Sequence, residues 1–270
     1  MYGPSVMQIC HYRDGRILFA DGSADLKGSV ESAARDGVDL GGADLRGAFL
    51  LGSRLAGAKL AYSRLAGAEL TGADLTAADL RRASMRDVIL SRTQLTRAQL
   101  DEAHLYRANL AGANLEEACL FEADLRNANL TGAILRGALL HGAKLARACM
   151  YQADLQGTNL SRAELEPIKE DLQTLLDEAR QEALLVLDAL RLGKIDGLRA
   201  SGECASLLGT IARARGLKDS AQLERPTPDP VRPAERWFLA IEPGHTPANH
   251  PIAALTAEWI ENWQSGRKLN

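Results

Sequence analysis

From Leu40 to Leu165 the chain carries Leu or Met at every fifth residue, twenty-six times, without an insertion. A small residue precedes each of them by two positions, Ala in twenty of the twenty-six cases. Few structures accept that period. On an α-helix five residues turn through about 500°, so successive leucines would scatter around the axis. On a straight strand an odd period sends alternate leucines to opposite faces. Only a chain that bends once per five residues can bury them all, and stacked bends of that kind make a solenoid.

The units read Gly42-Ala43-Asp44-Leu45-Arg46, Gly72-Ala73-Asp74-Leu75-Thr76, Gly112-Ala113-Asn114-Leu115-Glu116 and Glu122-Ala123-Asp124-Leu125-Arg126. Over residues 38–166 the chain resembles the pentapeptide repeat family, whose pattern is A-(D/N)-L-x-x. The resemblance implies a β-solenoid: a right-handed four-sided β-helix with one pentapeptide per side and about 6.5 coils. At roughly 4.8 Å per strand layer the column would be about 30 Å long. Each buried Leu would contribute about 1.5–3 kcal/mol before the entropy of ordering is subtracted. Gly at eleven positions two after Leu suits corners with unusual dihedrals.

Residues 1–37 read as an N-terminal hairpin–helix cap, because an open solenoid end exposes an unpaired edge. Met7–Tyr12 and Ile17–Ala20 flank Asp14-Gly15, a hairpin signal. Ser23–Arg35 reads as a helix with Ser23 as N-cap and Gly37 beyond its end. Residues 167–270 read as an α-helical C-terminal domain. Leu172, Leu175, Leu176, Ala179, Ala183, Val186, Leu187 and Leu190 keep helical spacing up to Gly193. A second helix is expected over Glu203–Arg215, then a Pro-rich linker over 224–233 with Pro226, Pro228, Pro230 and Pro233. Helices over Ala234–Ile241 and Pro251–Trp263 would follow. Trp237, Trp259 and Trp263 all lie in this tail, where a small helical core needs them.

Charge offers no partner by itself. Lys and Arg number 32 against 35 Asp and Glu, and the repeat segment balances fifteen against fifteen. That disfavours direct nucleic-acid binding. No apolar run of membrane-spanning length is present, and the four cysteines, Cys10, Cys119, Cys149 and Cys204, are widely spaced. Reduced thiols in a cytoplasmic protein are the expectation.

Catalytic grammar is absent from the repeats. His11, His104, His141, His245 and His250 are scattered, and Pro247 breaks helical ligand spacing between the last two. No catalytic residue, metal or cofactor is assigned. The repeat carboxylates Asp39, Asp44, Asp74, Asp79, Asp124 and Asp154 read as side-chain caps on local backbone or as solvated groups. Two surface features stand out. Cys119, Phe121 and Leu139 gather on one face as an apolar patch, suited to cover by the C-terminal helices or to a second copy of the chain. Arg81, Arg82, Arg86, Arg92, Arg97 and Arg107 form a belt over just over one coil, flanked by Asp87, Asp101 and Glu102. A solvated ring is the plain reading of the belt; contact with an acidic partner is the functional one.

Three functions are therefore carried forward. The first is a non-enzymatic protein-interaction scaffold displaying side chains on a rigid column. The second comes from the family resemblance, some of whose members are DNA mimics that bind type II topoisomerases such as gyrase and protect them from inhibitors. The balanced charge and the arginine belt argue against it. The third, an enzyme housed in residues 167–270, rests only on that segment being unexplained.

Overall fold

The computed structural model of the chain describes residues 6–197, 206–226 and 233–266. By its internal contacts the chain divides into two units. The first comprises Met1–Ala148 with Thr158–Glu164; the second comprises Cys149–Gly157 with Leu165–Asn270.

The first unit is a right-handed β-helix. Its walls are held by parallel bridges between residues twenty apart, in four rows. One row runs Asp39–Lys59–Asp79–Gln99–Cys119–Leu139–Asn159, and a second runs Asp44–Arg64–Ser84–His104–Asp124–Lys144–Glu164. The third runs from Phe49 through Glu69, Ile89 and Asn109 to Asn129, the fourth from Arg54 through Asp74, Gln94 and Asn114 to Ile134. Most of the repeat Leu N–H groups donate to the carbonyl one rung on, as from Leu100 to Cys119 and Leu110 to Asn129, both 2.7 Å. At each corner the Ala N–H returns to the preceding Leu carbonyl, as Ala108 to Leu105 at 2.9 Å. The repeating leucines and alanines are almost wholly buried.

The corners hold a surprise. From residue 42 to residue 162 the position two after each Leu or Met has positive φ, and only eleven of these twenty-five residues are glycines. Fourteen others, among them Ala77, Arg82, Arg97 and Glu117, take φ near +55° to +60°. An L-residue there costs about 1–2 kcal/mol of backbone energy, offset here by the bonds that the bend completes on both sides. Asp side chains help, as Asp39, Asp74, Asp79, Asp124 and Asp154 each accept the N–H two residues on.

Before the repeats, β1 (Met7–Cys10) and β2 (Ile17–Asp21) pair antiparallel, and α1 covers Leu26–Arg35. The hairpin joins the first rung, since Asp44 N–H donates to the Cys10 carbonyl at 2.9 Å and His11 bridges Ala43. Glu31 of α1 accepts the Arg54 N–H at 2.9 Å, and Lys27 Nζ reaches the Leu51 carbonyl at 2.7 Å. The N-cap is Asp25, whose carboxylate accepts from Gly28 at 2.7 Å; the expected Ser23 cap is not formed. Ser23 Oγ donates to Asp21 at 2.5 Å, and the helix begins two residues later than expected, where the Asp25 carboxylate is the stronger acceptor for its first N–H groups.

In the second unit, α2 (Glu166–Glu178) and α3 (Ala183–Arg191) replace the single helical run that the spacing predicts. Ala179 leaves the helical region (φ −127°, ψ 44°), and Glu182 turns inward to Arg215, Oε1 to Nε 2.8 Å. The apolar spacing survives the break, which is why periodicity alone misses it. Next come α4 (Leu207–Ala214), α5 (Pro233–Phe238) and α6 (Pro251–Gln264). The expected start of α4 at Glu203, Cys204, and Pro228 and Pro230 of the linker lie outside the described residues. Trp237 and Trp259 form the heart of this unit, their rings 5.5 Å apart and stacked. Trp237 Nε1 donates to Thr256 Oγ1 at 2.9 Å, satisfying its one polar atom.

Candidate functional site

A β-helix wall presents one side chain per rung at a fixed height, so rows of residues twenty apart define its surface. A broad concavity of the first unit, about 1130 Å³, lies over the row His104–Asp124–Lys144–Glu164 and the adjoining corner row Tyr62–Arg82–Glu102–Glu122–Gly142–Arg162. Arg126 and His141 complete its rim. The floor is flat wall; the sides are long charged side chains standing off the corners.

The charges of this surface are paired along and across rungs. Arg82 Nη2 meets Glu102 Oε1 at 2.6 Å, and Arg126 meets Asp124 with two bonds of 2.7 and 2.6 Å. Lys144 faces Glu164 at 3.9 Å. The Arg126 guanidinium, more than any other group, holds the Asp124 carboxyl below its ordinary range. Signs thus alternate every rung or two, about 5 Å apart. Beyond a Debye length of about 8 Å such a pattern cancels, so it steers nothing at long range and reads only what lies against it. A surface of this kind selects by registry.

The arginine belt is resolved into pairs. Arg81 grips Asp79 at 2.8 and 2.7 Å, and Arg97 meets Glu117 at 2.6 Å. Asp87 takes Arg86 at 3.1 Å and Arg107 at 2.9 Å. Arg86 also lies 5.1 Å from the centre of the Tyr106 ring. Arg92 is exposed and packs its stem near Gly112. Asp101 accepts from the Phe121 N–H at 3.2 Å and also acts on Arg81 through its charge. Of the six arginines only Arg82 lines the large concavity.

Cys119 and Leu139 are bridge partners on one wall and half-buried, while Phe121 stands on the next corner, 40% exposed. Its ring packs against His141 at 5.4 Å. Burial pushes the Cys119 thiol up from its ordinary value, so it stays protonated and poorly nucleophilic. The concavity and this patch therefore share the His141 edge. Asn129 Nδ2 bonds Asn109 Oδ1 at 3.3 Å, the expected amide ladder. Elsewhere on the unit Phe49 is 83% exposed at the N-terminal end of its row.

Sequence reasoning missed Tyr62, Glu102, Glu122, Lys144, Arg162 and Glu164 as one surface. The signal was the twenty-residue register, which aligns 62, 82, 102, 122, 142 and 162 without any motif. No group of three or more His, Cys, Asp or Glu residues suited to a metal occurs among the described residues. No helix among the described residues is long and apolar enough to cross a membrane.

The family model described as Pentapeptide repeats matches this chain with eight copies, over residues 36–68, 53–92, 89–127 and 123–162. No curated protein compared with the chain matches it. Among solved structures, HetL, a pentapeptide repeat protein involved in heterocyst differentiation regulation from Nostoc sp. strain PCC 7120, is 29% identical. The match covers 48% of this chain and 82% of HetL, with a TM-score of 0.28. The pentapeptide repeat protein Rfr23 from Cyanothece 51142 is 34% identical over 39% of this chain, with a TM-score of 0.20; the chain spans only 58% of its length. Full-length QnrB1, described as a plasmid-mediated fluoroquinolone resistance protein, is 22% identical over 43% of this chain and 67% of its own, with a TM-score of 0.21.

Proposed function

We propose, from the premise that residues 36–162 belong to the pentapeptide repeat family, that the chain is a non-enzymatic protein-binding scaffold. The observation that carries this reading is the concave wall between Tyr62 and Glu164, a rigid surface with charges in fixed alternation. Most wall backbone groups are already bonded between rungs, which leaves little for an added strand, so recognition falls to the side chains. The partner is a protein, whose complementary charges would match the spacing of Arg82, Glu102, Asp124 and Lys144. The Cys119, Phe121 and Leu139 patch, with Arg81, Arg82, Arg86 and Arg107 of the belt, would form the apolar and basic margins of that surface, while Arg92 and Arg97 fall on corners that do not adjoin it. A second copy of the chain is one protein that such a margin fits. The hairpin and α1 act as a cap on the N-terminal rung, and the helical second unit acts as a separate docking or oligomerisation domain.

The test is comparative capture. Host proteins retained by the immobilised wild-type chain are compared with those retained by Glu122→Lys and Lys144→Glu, whose folding is checked by circular dichroism. A protein lost on both wall variants identifies the partner; identical capture by all three chains defeats the reading. Gyrase protection would need a wall of one negative sign, which the alternating charges do not supply. A supercoiling assay with and without quinolone separates the two: rescue of gyrase by this chain at micromolar concentration would replace the scaffold reading with the mimic.

A further inference from the structure

His250 is the one described histidine that is 5% exposed, and neither of its ring nitrogens has a hydrogen-bond partner. It sits just before α6, with its ring parallel to that of His245 at 4.1 Å between centres. His245 Nδ1 accepts the Glu242 N–H at 3.1 Å, so the proton of its neutral ring belongs on Nε2. Both imidazoles line a cavity of about 380 Å³ that lies wholly within the second unit. Gln152, Asp154, Gln156 and Glu242 face the same space.

Buried polar atoms are nearly always bonded, and an orphaned imidazole marks a place where a partner is missing. Burial, with the neighbouring His245 ring adding to it, lowers the His250 pKa to about 4; Asp154 pulls the other way. At neutral pH the ring is therefore uncharged, with one free lone pair and one free N–H. The cavity carries two carboxylates and, among the described residues, no Lys or Arg side chain. Its remaining polar groups are amides, whose carbonyls accept. A volume of a few hundred Å³ suits a small molecule.

We infer that this cavity binds a small organic cation, an amine or guanidinium compound, whose N–H groups donate to His250 and to the Asp154 and Glu242 carboxylates. A metal ion fits less well, because the two rings are parallel and face to face, so their lone pairs do not converge. This site shares no residue with the concave wall between Tyr62 and Glu164, and either reading can fail alone.

The probes are agmatine, putrescine and, as an anion control, succinate, each titrated into the full chain at pH 7.5 by calorimetry. Tryptophan emission reports in parallel, since Trp237 and Trp259 lie in the same unit. Saturable binding of at least one cation, none of succinate, and about tenfold weaker binding by Glu242→Gln are expected. His250→Leu removes the orphaned nitrogens without opening a cavity; it should lose binding while its unfolding midpoint holds or rises. The inference is overturned if neither cation binds at about 10 mM, if succinate binds as well as the cations, or if Glu242→Gln binds as wild type does. Zinc binding by the stacked pair in place of both cations would overturn it too.

Discussion

Replacing Gly57 with alanine isolates the energy of a β-helix corner. Gly57 has φ +66°, and a Cβ built on it would meet nothing within 4 Å. No clash enters, so the substitution adds only the cost of a left-handed L-residue, about 1–2 kcal/mol. Alanine also narrows the unfolded ensemble, which returns about 0.4–1 kcal/mol. The expected net loss is about 0.5–1 kcal/mol. Ala77, at φ +55°, is the mirror experiment, and Ala77→Gly should gain a similar amount. Gly42→Ala should cost clearly more, because its Cβ would fall 2.5 Å from the His11 ring. Urea unfolding followed by far-ultraviolet circular dichroism measures all three, with an unchanged m-value showing that the unfolded state is comparable. If Gly57→Ala stabilised the chain while Ala77→Gly destabilised it, backbone dihedral cost would not be what governs these corners.

Other consequences are equally direct. Ser53 Oγ is buried without a partner, so Ser53→Ala should raise stability by up to about 1 kcal/mol. Thr93 Oγ1 donates to the Leu70 carbonyl at 2.8 Å, so Thr93→Val should lower it by about 1 kcal/mol, and denaturant midpoints would show the opposite signs. Leu105→Ala, at a fully buried position, should cost about 3–5 kcal/mol by the same measurement; a loss below 1 kcal/mol would mean that the column collapses to fill the gap. The pH dependence follows from His250. Its folded pKa lies near 4 and its unfolded value near 6.5, so the unfolded chain takes up more protons between them. Stability is full above pH 6.5 and falls as pH drops through that window, by at most about 3 kcal/mol. His250→Leu should flatten that slope, and an unchanged slope would show that His250 is not its source.

What the sequence made legible followed from what repeats. Leu40 to Leu165 announced the solenoid because one spacing, kept without a break, admits one kind of packing. Local competition was harder to see. Ser23 looked like a cap, yet the helix begins at Leu26 on the Asp25 carboxylate, and the break at Ala179 left the apolar spacing of α2 and α3 undisturbed. Arg82 and Glu117 carry no mark of their left-handed backbone, since the bend is imposed by neighbours rather than by their own chemistry. The wall concavity was hidden for a different reason: Tyr62 and Glu164 are a hundred residues apart and meet on one surface only through register. The stacking of His245 on His250 lies in an irregular turn, where spacing predicts nothing.

The one-to-one pairing of each residue with its neighbour twenty positions on has an evolutionary corollary. Inserting a single pentapeptide midway would leave every leucine indoors, yet swing all later residues a quarter turn around the axis. Tyr62 and Arg82 upstream would then part from Asp124 and Lys144 downstream, and the concave surface they share would be split. Duplicating or deleting twenty residues would instead slide the downstream surface by about 5 Å without rotating it. Length can therefore drift in whole turns while a binding face is kept; shorter steps scramble the face and spare the fold.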